Sequence, residues 1–279
     1  MDEFLLLCRR FGQLEDLVQA GGGNISVKLS DTHSVIKSSG YSLSEVMRDK
    51  GYTVFSHKDV TFDTPLAECV VSGSAPSMET YFHVFLYKYV VHVHPTTMLP
   101  FLCSKDPKGC IPYLKPGPEL AKGIQDVWKG ERVILLQNHG VIVTANTLED
   151  VFATFVNMYE NYRLSQYISL PDFWKLQDEF ANEYVYKVSL AETHIYLPVL
   201  RKHNIRNLTP DVALFLRNSV HIEGEHLFLH AATKQKCFSI LEVLRSYCEV
   251  VDQCDVALTE LQVAKVLMCP TEKKRFAMP

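Results

Sequence analysis

Two histidines, His92 and His94, stand two residues apart in the β-branched run "VVHVHP" from Val90 to Pro95. In an extended strand, residues i and i+2 leave the same face about 6.5–7 Å apart, so both imidazoles can lean onto one ion. A His-x-His pair by itself also fits an ordinary half-buried strand, and a third ligand is what separates the two readings. His139 in "LLQNHG" is the candidate. It lies at the turn of an expected hairpin, where Gly140 permits a backbone conformation that aims the side chain inward. Three neutral imidazoles with open coordination positions form the ligand set of a catalytic Zn²⁺. Glu79 in "PSMET" adds a carboxylate, as a fourth ligand or as a general base. Its competing reading is a solvated acid in the first turn of a helix, where the dipole favours it.

A second group of residues suits an anion. "GGGN" at Gly21 to Asn24, "SSG" at Ser38 to Gly40, and Ser77 at an expected helix start offer backbone N–H groups, hydroxyls and an amide. Such donors cradle a phosphate, although glycine turns and serine caps also serve simply as turns and caps.

The elements that must position these residues follow from periodicity. Apolar residues at Phe4, Leu7, Phe11, Leu14 and Val18 predict an opening amphipathic helix. "NISVKLSDTHSVIKSSG" alternates around Ser30 and Asp31, the pattern of a β-hairpin. Ser42 to Glu45 fits a capping box, and a helix is expected from Pro76 to near Lys88. After a Pro/Gly-rich loop from Asp106 to Pro118, a helix is expected from Leu120 to Trp128. A strand hairpin in "RVILLQNHGVIVTA" then turns at Asn138 to Gly140, and Thr147 to Asp150 caps a long helix toward Tyr167. Helical pieces are expected from Pro171 to His203, a strand-like start at "LTPDVALFL" (Leu208 to Leu216), and helices at Ser239–Tyr247 and Thr259–Leu267. The division is thus 1–170, a helical connection over 171–203, and a small C-terminal α/β unit over 204–279.

The chain of 279 residues is 47% hydrophobic and 22% charged, a soluble globular balance long enough for a sizeable core. A formal net charge of -4 without a basic stripe argues against nucleic acid and anionic membranes, leaving a small molecule as the expected partner. Eight scattered cysteines without a Cys-x-x-Cys pair, and an opening Met-Asp-Glu without a signal-like apolar run, point to reduced thiols in the cytoplasm. No stretch approaches the ~20 apolar residues of a membrane span.

Taken in order, "GGGNISVK", "IKSSG", "PSMET…H", "HVHP", "PYLKPG" and "QNHG" resemble the class II aldolase/adducin family, whose relatives include fuculose-phosphate and rhamnulose-phosphate aldolases. The likeness covers about residues 1 to 170. "DLVQAGGGNISVK" and "PSMET" are most similar to the aldolase-like half of bacterial proteins that fuse such a domain to a short-chain dehydrogenase. "LTPDVALFL" and "EKKRFAM" are similar to the segment after that half, yet no Gly-x-Gly-x-x-Gly is found after the first helix-strand units here.

The resemblance implies an α/β/α sandwich around a mainly antiparallel central sheet, assembled as a homotetramer with sites between subunits. It implies a divalent ion, Zn²⁺ or another such as Mn²⁺ or Co²⁺, on His92, His94 and His139, with Glu79 as acid/base. Asn24, Ser39, Gly40 and Ser77 would hold a phosphate by motif position, and Tyr113 in "PYLKPG" would serve a neighbouring subunit's site. Met78 stands where the aldolases often have a second phosphate-binding serine. The implied activity is that of a lyase, reversible aldol cleavage of a ketose phosphate through a metal-stabilised enediolate. The alternatives are an epimerase or dehydratase with the same site, or a non-catalytic scaffold like the adducins, which lack the metal histidines. Their presence here favours an enzyme.

Overall fold

The computed structural model describes residues 1–162, 178–180, 183–203, 205–217, 219–231 and 233–268. The expected helix end at Tyr167, the first part of the 171–203 connection, Cys269 and "EKKRFAM" lie outside the described residues. In chain order the elements are α1 (Asp2–Gly12), β1 (Asn24–Lys28), β2 (His33–Lys37), β3 (Tyr52–Ser56), β4 (Val70–Gly73), α2 (Thr80–His83), β5 (Tyr89–Val93), α3 (Leu99–Leu102), β6 (Cys110–Ile111), α4 (Pro118–Val127), β7 (Val133–Leu136), β8 (Gly140–Ala145) and α5 (Leu148–Tyr162). Next come β9 (Asp178–Phe180), β10 (Glu183–Lys187), α6 (Leu190–His203), α7 (Pro210–Phe215), β11 (Val220–Glu223), β12 (His226–Ala231), α8 (Lys234–Val250) and α9 (Glu260–Met268). Short 3₁₀ turns join several of them.

The main sheet has the order β4-β3-β2-β1-β5-β8-β7-β6, antiparallel except for the parallel pair β6–β7 at one edge. Strand alternation assigns its two faces. Ile25, Val27, Val91, Val93, Val141 and Val143 point into one core with Phe4, Leu7 and Phe11 of α1 and Val151 and Phe155 of α5. Val90, Ile134, Leu136 and Ile142 point the other way, against Phe82 and Leu86 and against Leu120, Ala121 and Ile124 of α4. The result is the expected α/β/α sandwich with a mainly antiparallel central sheet.

Three local expectations are corrected. α1 ends at Gly12 rather than Val18, because the following backbone turns to meet the histidine strand: His94 N–H donates to the Leu17 carbonyl at 2.8 Å and Thr96 N–H to that of Asp16 at 2.7 Å. The helix expected from Pro76 to Lys88 shrinks to α2. Ser38 and Pro76 form an isolated antiparallel bridge and Ser39 N–H donates to Ala75 O, which keeps the Pro76 segment extended, and the chain must turn after His83 to enter β5. "LTPDVALFL" is the helix α7, not a strand. Thr209 caps it by accepting from Val212 N–H, and Pro210 occupies the first helical position.

The connection expected to be helical over 171–203 contains β9 and β10 as well as α6. β10 pairs with β12 in a second sheet of order β11-β12-β10-β9, so hydrogen bonding crosses the expected boundary at residue 204. The core crosses it too: Tyr196, Leu208, Val212, Leu244 and Tyr247 belong to the same apolar cluster as α1 and α5. No described helix is long and apolar enough to cross a membrane.

α8 brings Glu249 close to Asp16, whose carboxylate accepts from Thr97 N–H and from the Tyr159 hydroxyl. Burial, reinforced by the charge of Asp16, pushes the Glu249 carboxyl up to about 7 from 4.5. Between those values the folded chain holds a proton that the unfolded chain releases, so this stabilisation is full below the lower value and is lost as pH rises through the upper one. Glu249→Gln is therefore expected to raise the thermal midpoint at pH 8 and leave it nearly unchanged at pH 4.5, as followed by circular dichroism.

Candidate metal centre

β5 runs between β1 and β8 in the middle of the main sheet, with Asn24 directly opposite His92 on one side and Ile142 on the other. Val91 and Val93 face the large core, so Val90, His92 and the next residue of that parity, His94, face the opposite side. His139 arrives from the turn between β7 and β8. Ligand nitrogens of the three histidines lie within 4.8 Å of one another, and all three side chains are buried. The spacing reading of His-x-His plus a third histidine thus describes what the fold assembles.

The turn itself works differently from the expectation. Asn138, with φ +52°, takes the left-handed conformation that directs His139 inward. Gly140 matters for space: a Cβ there would lie 2.4 Å from the Val93 carbonyl oxygen and 2.7 Å from the His94 ring.

Hydrogen bonds define the tautomers. His92 Nδ1 lies 3.0 Å from the carbonyl oxygen of Val141, an acceptor, so Nδ1 carries the proton. His94 Nδ1 faces the carboxylate of Asp211 at 2.5 Å and carries the proton for the same reason. Burial lowers His92 to about 4 and His139 to about 3, so both rings are neutral at pH 7. The Nε2 atoms of His92 and His94 face each other at 3.1 Å. Glu79 adds Oε2 at 3.4 Å from His92 Nε2 and Oε1 at 3.5 Å from His139 Nε2. Burial pushes the Glu79 carboxyl up, but the histidines and a bond from Asn24 outweigh it and bring it to about 2. It is thus held ionised.

Converging imidazole nitrogens beside a carboxylate suit a cation. Two nitrogens sharing a tetrahedral zinc at about 2.05 Å lie about 3.3 Å apart, close to the observed separation. Glu79 Oε1 and His139 Nδ1 have no hydrogen-bond partner among the described residues, although both are buried. The donor set fits a divalent ion held by His92, His94 and His139 with Glu79 beside it.

A buried polar chain backs the carboxylate. His83 Nε2–H donates to Asn24 Oδ1 at 2.5 Å and its Nδ1 accepts from Ser26 at 2.7 Å. That arrangement turns the Asn24 amide so that Nδ2 donates to Glu79 Oε2 at 2.7 Å and to Ser77 Oγ at 3.3 Å. Burial lowers His83 to about 3, which keeps it neutral in this role.

Asn24, Ser39, Gly40, Ser77, Glu79, His94 and His139 line one cavity, so all but His92 and Tyr113 of the residues singled out in the sequence open onto it. His92 lies beneath, completely buried. Tyr113 is elsewhere, packed with Ala213, Leu258 and Val263. Glu79 stands just before α2 rather than three residues into a helix. Three residues escaped the sequence reading. Lys37 lines the cavity, its ammonium donating to the carbonyls of Tyr41 and Gly21 at 2.6 and 3.3 Å. A lysine inside the apolar end of a strand, just before "SSG", was the available signal. His83 could have been found from its place four residues after Glu79. Asp211 carried no local signal, because only the fold brings it 117 positions back to His94.

Gly140→Ala is expected to cost roughly 1–3 kcal/mol, the range for forced overpacking, measured as a lower midpoint in chemical denaturation of the metal-free chain. An unchanged midpoint would show that β5 and the turn can part without penalty.

Residues 2–165 match the family described as Class II Aldolase and Adducin N-terminal domain. The 3-oxo-tetronate 4-phosphate decarboxylase of Haemophilus influenzae is 28% identical over 170 residues, covering 52% of this chain and 76% of that protein. The structure is similar to that of the N-terminal class II aldolase domain of a conserved protein from Thermoplasma acidophilum, with TM-score 0.50 and 27% identity over 58% of this chain and 91% of that one. With a match extending over more than half its length, the chain belongs to the class II aldolase and adducin family.

Proposed function

We propose that this chain is a metal-dependent lyase that breaks a carbon–carbon bond next to a carbonyl in a small phosphorylated sugar, with aldol cleavage of a ketose phosphate as the first reading. The observation that carries it is the convergence of three buried imidazoles and one ionised carboxylate at the cavity floor. A divalent ion such as zinc, bound by His92, His94 and His139, would supply Lewis acidity to the negative charge that develops on oxygen as the bond breaks.

The chain's own groups do the rest. Asn24 holds Glu79 Oε2, which leaves Oε1 as the oxygen that takes or returns a proton at the reacting carbon. Ser39, Gly40 and Ser77 offer donors to a phosphate, Asn24 supports that end through its bond to Ser77, and the Lys37 ammonium gives it a positive charge. Met78 takes a place on the cavity wall with an apolar side chain, narrowing the donor set there. Tyr113 enters this reading only from a neighbouring subunit of a homotetramer. A cytoplasmic setting belongs to the same proposal.

Decarboxylation is the second reading, favoured by the likeness to the Haemophilus influenzae decarboxylase. Loss of CO₂ from a 3-oxo acid leaves the same electron pair beside a carbonyl, so the same site serves. It also needs no group to manage a proton at a departing aldehyde, which suits a cavity without Tyr113.

Purified protein is expected to carry a divalent ion, and His139→Ala to lose it, as read by elemental analysis. Release of a triose phosphate from a panel of ketose phosphates supports aldol cleavage. Release of CO₂ from 3-oxo-tetronate 4-phosphate supports the second reading, and conversion to an epimer alone supports neither. Glu79→Gln is expected to lower turnover by about 10²–10⁴-fold. No bound ion, and no activity with added Zn²⁺, Mn²⁺ or Co²⁺, would sink the enzyme reading in favour of a binding protein.

A further inference from the structure

The segment C-terminal to the family domain reaches the candidate metal centre at two points. Asp211, the second residue of α7, places Oδ2 at 2.5 Å from His94 Nδ1, and both side chains are buried. Asn138, immediately before His139, donates through Nδ2 to the carbonyls of Leu208 and Val256 at 2.9 Å each. Two of the three histidines are thus braced by residues beyond position 165, where the family match ends.

The local sequence prepares this contact. Thr209 caps α7 and Pro210 begins it, which fixes the direction in which Asp211 leaves the first turn. Gly22 makes room for the pair: a Cβ on it would lie 3.0 Å from His94 Nδ1 and 3.2 Å from Asp211 Oδ2. A buried carboxylate without a hydrogen-bonding partner is costly, and the imidazole N–H meets that need.

We propose that Asp211 is a positioning residue for the metal ligand His94, so that the metal centre is completed by the segment C-terminal to the family domain. The carboxylate holds the proton on Nδ1, which directs the Nε2 lone pair toward His92 and His139, and it increases the electron density that Nε2 donates. This inference rests on the metal-binding reading of the three histidines. It differs from that reading in assigning a function to α7, which the family domain does not contain.

The test is competition for Zn²⁺ between a chromophoric chelator and the full chain, with wild type, Asp211→Asn and Asp211→Ala compared at one pH. Loss of such a carboxylate typically weakens metal affinity 10–100-fold, and the expected result is a loss in that range for Asp211→Ala and a smaller one for Asp211→Asn, which keeps the shape and an acceptor oxygen. The thermal midpoint of the metal-free Asp211→Asn protein is expected to stay near that of wild type. A Co²⁺-loaded sample should also show shifted visible absorption in the variant, a signature that a merely structural residue would not move. Zinc affinity within twofold of wild type in both variants overturns the proposal. So does a loss of affinity matched by collapse of the metal-free fold in both, which marks Asp211 as a structural part. If wild type itself takes up no zinc, the metal reading fails first and this inference fails with it.

Discussion

The rest of this structure is arranged around one buried cluster of polar groups. Two imidazole nitrogens are held 3.1 Å apart, with an ionised carboxylate at 3.4 Å from one of them, in a place that water barely reaches. Such crowding survives only because the surroundings permit no retreat. β5 is central in an eight-stranded sheet, its other face is locked into the large core by Val91 and Val93, and the neighbouring turn has no room even for a methyl group at Gly140. Packing energy from two apolar layers is what holds the donors in place before any ligand arrives.

How much of this was legible depended on the range of the interactions involved. The two-residue period made the shared face of His92 and His94 readable, and the β7–β8 hairpin made the approach of His139 readable, because strand geometry is local. Alternation and turn chemistry made the individual strands and helices readable, while the sandwich arrangement came from the family resemblance. The Pro76 helix was overestimated because a bridge to Ser38, set by the neighbouring strand, outweighs helical periodicity. "LTPDVALFL" was misread because its apolar run suited a strand, while the Thr-Pro-Asp start that caps a helix was given too little weight. Glu79's direction of titration could not be read at all, since it results from a balance between burial and three rings that only the fold assembles. Asp211 likewise becomes a support of the site through a contact made at long range.

The boundary between the family domain and the C-terminal segment is sharp in sequence and indistinct in physics. A single apolar cluster contains residues from α1, α5, α7 and α8. Cys103 illustrates the interlocking: its carbonyl accepts from Val256 N–H at 2.7 Å, and its thiol lies 3.7 Å from the Leu208 carbonyl. Leu208, Val212, Leu244 and Tyr247 are thus packed as interior, and their loss would expose apolar surface of the family domain to water.

The groups gathered at the cavity floor are far apart along the chain, running from Asn24 to Asp211 with 117 positions between Asp211 and the ring that it meets. Contacts of such separation carry a loop-closure cost and tend to form late in folding. A cation captured at this point would therefore not nucleate the fold. It would find its full set of donors only on chains that have already finished folding, and its occupancy would count completed molecules.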